Sequence, residues 1–162
     1  MAKYNKIFAA LDGGDTMEAV ARRTLSIAHD NNAEVLFGHV LDDTVLQAGG
    51  VAGDELAATK KDAIEQHLRR YLKRAEQDEC VPSVEVKVLP GRIEETLERK
   101  LIEPFGPDLI ICGVRGLSNF KYAFVGSIST HLVRHSTCDV LVVRPEAIEQ
   151  VDDAEYANLG IE

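Results

Sequence analysis

Five strand-like runs separated by helical stretches confine this chain to very few folds. The runs are residues 7–11, 34–41, 83–89, 109–112 and 140–143. After the first, Met17, Val20, Ala21, Leu25 and Ala28 recur at helical spacing, with Asp15 and Glu18 placed as a capping box. Residues 55–79 carry Leu56, Ile64, Leu68, Tyr71 and Leu72 on one helical face, and Pro82 forbids continuation. Ile93, Leu97 and Leu101 mark a third helix that Pro104 should stop, and a fourth runs from about 127 to 135. Strands alternating with helices build right-handed βαβ units around a parallel sheet.

Four runs are mostly apolar, as strands covered on both faces are. The run 83–89 instead alternates Val84, Val86 and Val88 with Ser83, Glu85 and Lys87, which gives it one wet face and fits a sheet edge. The predicted fold is a three-layer, doubly wound, five-stranded parallel sheet of order 3-2-1-4-5. A flavodoxin-like order, 2-1-3-4-5, is the competitor. In the first order, the loop Asp12-Gly13-Gly14 after strand one and the loop Gly113-Val114-Arg115-Gly116 after strand four meet at the switch point. Ligands bind there, outside the carboxyl ends of the strands.

The second loop continues for nine residues to Gly126-Ser127, where a helix opens. Glycine permits positive φ and close approach of backbone to an oxygen-rich ligand. The amides of Ser127, Ile128 and Ser129 start a helix and so lack intrahelical acceptors, and they carry partial positive charge. The hydroxyls of Ser127 and Ser129 add donors at the same end. Two glycines alone would make no more than a tight exit turn. The full spacing, the Ser-x-Ser and the switch-point position together point to a phosphate.

The net charge of −9 leaves no general affinity for the nucleic-acid backbone or for anionic lipid. No apolar run approaches the length of a membrane span. The N-terminus leads directly into a strand, so a cytoplasmic location is expected. Three cysteines, Cys80, Cys112 and Cys138, form no C-x-x-C pair, so neither a disulfide framework nor a zinc site is indicated. His131 and His135 lie four apart on a helix, but no third ligand is evident.

The spacing G-x2-G-x9-G-[ST] from Gly113 to Ser127 resembles that of ATP-binding members of the universal stress protein family. So do the Gly-Ser-x-Ser, the run 138–145 and the strand ending Leu11-Asp12-Gly13. The resemblance covers about residues 4–145 and implies an adenine nucleotide alpha-hydrolase-like domain over 1–145, followed by an acidic tail, 146–162. It implies ATP, or AMP or ADP, across the crevice. Asp12 would lie near the ribose or a bound Mg²⁺, and Val40 against the adenine. Gly113, Arg115 and Gly116 would follow the ribose and α-phosphate, with Gly126, Ser127, Ile128 and Ser129 at the outer phosphates, and Leu11 and Cys112 would also border the nucleotide. Gly14 stands where the family often has Ser, and Val114 where Ser is common.

The family also implies a homodimer. Val140, Leu141, Val142 and Val143 form an edge run with no charge inside it, which calls for a cover: a second copy, or the acidic tail folded back. Three roles stay open. The first is a nucleotide-binding stress-response or regulatory module with little or no turnover; no P-loop lysine is present. The others are a slow ATP-hydrolysing enzyme, in which Arg115 stabilises charge and Asp12 holds Mg²⁺, and a dimeric interaction protein that binds no nucleotide.

Overall fold

A computed structural model describes residues 3–14, 16–43, 52–114 and 126–144. Strands β1 (Lys6–Ala10), β2 (Glu34–Asp42), β3 (Val84–Gly91), β4 (Leu109–Gly113) and β5 (Asp139–Val143) form one sheet. Every neighbouring pair is parallel and the order is β3-β2-β1-β4-β5. This is the order predicted from the wet third run, and the flavodoxin-like alternative falls. On β3, Glu85 and Lys87 are exposed while Val86 and Val88 are buried.

Helices α1 (Met17–Asn31), α2 (Gly53–His67) and α3 (Arg69–Gln77) cover one face. Met17, Val20, Ile64 and Tyr71 of these helices, with Leu68 between α2 and α3, pack on Ile7, Val35, Phe37 and Ile111. The other face is covered by α4 and α5 (Ser127–His135). Helix α4 runs as an α-helical turn, Ile93–Thr96, then a wider π-helical stretch, Leu97–Ile102, then a last turn, Glu103–Phe105. Leu97, Leu101 and Leu132 pack there on Phe8, Leu36 and Ile110. Alternate residues of each central strand therefore enter opposite cores, the period-two rule applied to a sheet buried on both sides.

Three expectations need correction. The helix expected over 55–79 is divided at Leu68, whose backbone (φ −96°, ψ 10°) leaves the helical region. The ladder still crosses the break, with Leu68 N–H donating to Ile64 O and Leu72 N–H to Leu68 O. Pro104 does not stop its helix but sits in the last turn, which Gly106 ends in a left-handed conformation (φ 67°). A proline ring collides with the carbonyl four residues back in α winding, and here that residue, Lys100, lies in the wider π stretch. Finally, the N-cap of α1 is Thr16 without a side-chain cap bond; Asp15, expected there, lies outside the described residues.

Candidate functional site

The carboxyl ends of β1 and β4 lie side by side, with Ala10 opposite Cys112, and this is where the winding reverses. A crevice open to solvent lies there. The crevice brings together eight predicted residues: Leu11, Asp12, Val40, Cys112, Gly113, Gly126, Ile128 and Ser129. Ser127 is exposed and does not line it; that residue borders a neighbouring concavity with Asp42 and Arg92. Arg115 and Gly116 lie outside the described residues.

On one wall stands the start of α5. Gly126 is its N-cap in extended backbone (φ −69°, ψ 172°), and among the described residues no side chain caps the helix. The first backbone bond of the helix is Thr130 N–H to Gly126 O at 3.0 Å. The amides of Ser127, Ile128 and Ser129 precede it, so they keep the donor character of a helix start. The Ser129 hydroxyl is already engaged: it is buried and donates to the Gly113 carbonyl at 3.1 Å. That bond ties the start of α5 to the end of β4. What Ser129 offers an anion is its amide.

Neither Gly113 nor Gly126 uses positive φ, contrary to the conformational reason expected for glycine there. Gly113 is required by contact instead. A Cβ on it would stand 2.9 Å from Thr16 Oγ1 and 3.1 Å from Val20 Cγ2. Among the described glycines at the switch point, Gly13 adopts the left-handed region, at φ 78°.

The opposite wall is the turn after β1. Asp12 is exposed, and its carboxylate accepts from the Gly14 amide at 2.9 Å and from the Thr16 hydroxyl at 3.0 Å. Thr16 itself is buried and touches both sides of the switch point, Asp12 by its hydroxyl and Gly113 by proximity.

His39 anchors the same turn. Its Nδ1 lies 2.7 Å from the Leu11 carbonyl, which only accepts, so Nδ1 carries the proton. By strand alternation its side chain stands on the face of Val35 and Phe37. Burial is the main cause that pushes the His39 pKa down; the Lys60 charge adds to this, and the Leu11 bond and Asp12 oppose it. Lys60 brings its ammonium to within 3.0 Å of where a Cβ on Gly13 would stand.

Apolar floor residues complete the crevice: Val40 from β2, and Ile93 and Leu97 from α4. Burial also pushes the Cys112 thiol up, against a smaller lowering from Ser129, so it is an unreactive, protonated thiol.

Sequence reading missed Thr16, Gly38, His39, Ile93 and Leu97. Gly38 and His39 left a trace, since a glycine inside an apolar strand signals close approach and a histidine inside one signals a polar duty. Phe8 Cζ would lie 2.5 Å from a Cβ on Gly38. Thr16 left none. Away from the crevice, Glu94 and Glu98 of α4 approach the two nitrogens of His131 at 3.7 and 3.5 Å. The rings of His131 and His135 are 4.5 Å apart.

Comparison with known proteins agrees with this fold. A model described as the universal stress protein family matches residues 3–144. A protein assigned to that family in Staphylococcus haemolyticus is 31% identical over 157 residues, spanning 97% of this chain and 94% of its own. Among solved structures, universal stress protein UspA from Lactobacillus plantarum superposes with a TM-score of 0.65 at 21% identity, over 89% of this chain and 100% of that one. A universal stress protein solved in complex with cAMP gives 0.58 at 23% identity, over 87% and 97%.

Proposed function

The chain belongs to the universal stress protein family, and on that premise we propose that its crevice holds an adenine nucleotide, ATP before ADP or AMP, as a regulatory ligand with little or no turnover. The observation that carries this reading is the start of α5, uncapped among the described residues, facing the glycine-flanked end of β4 across the switch point. A triphosphate takes the amides of Ser127, Ile128 and Ser129, and the purine takes Val40, Ile93 and Leu97. Asp12, beside the turn, accepts from a ribose hydroxyl.

Magnesium fits the site weakly. Both Asp12 oxygens already accept hydrogen bonds, so a cation held by the phosphates would meet Asp12 through its remaining lone pairs or a water. Among the described residues, the titratable groups lining the crevice are Asp12, His39 and Cys112. Asp12 and the Nε2 of His39 keep acceptor capacity for a water, since His39 donates from Nδ1. No lysine or arginine lines the crevice among the described residues to stabilise a transferring phosphoryl group, and this supports little turnover.

Equilibrium dialysis with labelled ATP tests the reading. Saturable binding of one nucleotide per chain is expected, with ATP intact after hours. No binding at millimolar nucleotide would end it, and rapid multiple-turnover release of ADP would replace a regulatory ligand with an enzyme.

A further inference from the structure

Away from the crevice, at the amino-terminal edge of the sheet, three different donor groups converge. His29 belongs to the last turn of α1, Asp78 is the C-cap of α3, and Cys80 lies two residues on, before β3. One donor atom from each lies within 4.8 Å of the other two. His29 Nδ1 and Asp78 Oδ2 are 2.7 Å apart, and the other Asp78 oxygen accepts from the Cys80 amide at 2.9 Å. That second bond folds the chain so that residue 80 returns toward residue 78.

We propose that His29, Asp78 and Cys80 form a binding site for a borderline divalent cation of the zinc type. Nitrogen, oxygen and sulfur in one set suit Zn²⁺, whereas Mg²⁺ and Ca²⁺ demand oxygen. A second feature of the fold favours positive charge at the same place. Both α1 and α3 end here, so the negative ends of two helix dipoles point at the cluster.

Closing the three donors around a zinc ion takes shifts of about an ångström, given bonds of about 2.0–2.3 Å. His29 is exposed, and Asp78 and Cys80 are half-buried, which leaves the fourth position to water. Binding moves protons in a balanced way. The imidazole proton shifts from Nδ1 to Nε2, the Cys80 thiol gives one proton to solvent, and the metal takes the three freed electron pairs. No oxidant or reductant is involved. The site would clip the end of α1 to the α3–β3 connection.

Cobalt is the probe, added to the chelator-stripped full chain. The site predicts saturation at one equivalent, a thiolate-to-cobalt charge-transfer band in the near ultraviolet, an intense four-coordinate visible spectrum, and displacement by Zn²⁺. Cys80→Ser removes the charge-transfer band, and His29→Ala weakens cobalt binding by about tenfold or more. Cys138→Ser leaves both unchanged. Zinc raises the melting temperature of the natural chain but not of Cys80→Ser, and metal-free melting of the two is compared so that a folding defect is not mistaken for a lost ligand. A band that survives Cys80→Ser, or no band at millimolar cobalt, overturns the site. Nucleotide dialysis is independent of either result.

Discussion

Thr16 is the residue through which the two sides of the switch point touch, and its neighbours define what each can tolerate. Gly113→Ala forces a methyl against Thr16 Oγ1 and Val20 Cγ2 at the distances of a clash. The expected cost is about 1–3 kcal/mol in urea unfolding. Thr16→Ala in the same chain recovers part of it, and independent, additive effects would show that the contact is not the cause. His39 adds a pH dependence. Its pKa is lowered in the fold, chiefly by burial, so the unfolded chain binds more protons just below the ordinary imidazole value of about 6.5. The stability it contributes is present above that value and is lost as the pH falls toward the folded pKa. Urea midpoints measured between about pH 7 and 5 should fall on acidification, and His39→Gln should flatten that slope. An unchanged slope rejects the assignment. At this scale the sequence was half legible. Gly113 could be picked out because glycine beside a strand end is informative, but its reason is a side chain ninety-seven positions earlier, which no local pattern reports.

Helix α4 shows how an element can be located correctly and still be misjudged in form. Ile93, Leu97 and Leu101 announced it at spacings of four, which suit α and wider winding alike, so the π stretch left no periodic signature. Proline was taken as a stop because the rule assumes α geometry upstream. The break at Leu68 was equally silent, since that residue is fully buried and keeps the apolar face continuous across it. Leu101 is 1% exposed and packs α4 on β2, its Cδ1 3.2 Å from where a Cβ on Gly38 would stand. Leu101→Ala is expected to cost about 2–5 kcal/mol, read by chemical denaturation. It should also weaken ATP binding, because Leu97 one turn earlier floors the crevice. Loss of stability with unchanged affinity would separate the helix from the site.

For the whole molecule, strand order was the most legible property. One alternating run among four apolar ones marked an edge, and two glycine clusters marked the switch point, where the crevice lies. The residues 115–125, with Arg115 and Gly116, and the acidic tail lie outside the described part, so their predicted roles stand as proposals. So does the dimer. On β5, Val140, Leu141 and Val142 are half-buried and only Val143 is buried. Light scattering should give twice the chain mass, and Val140→Lys should halve it without melting the fold; a monomeric natural chain contradicts pairing at this edge. The account as a whole depends on backbone amides of α5 taking up phosphate charge. Calorimetric titration with ATP, AMP, cAMP and adenosine under one buffer measures that directly. Affinity should drop by about tenfold or more from ATP to adenosine, roughly 1.4 kcal/mol or beyond. Equal affinity for ATP and adenosine would contradict it.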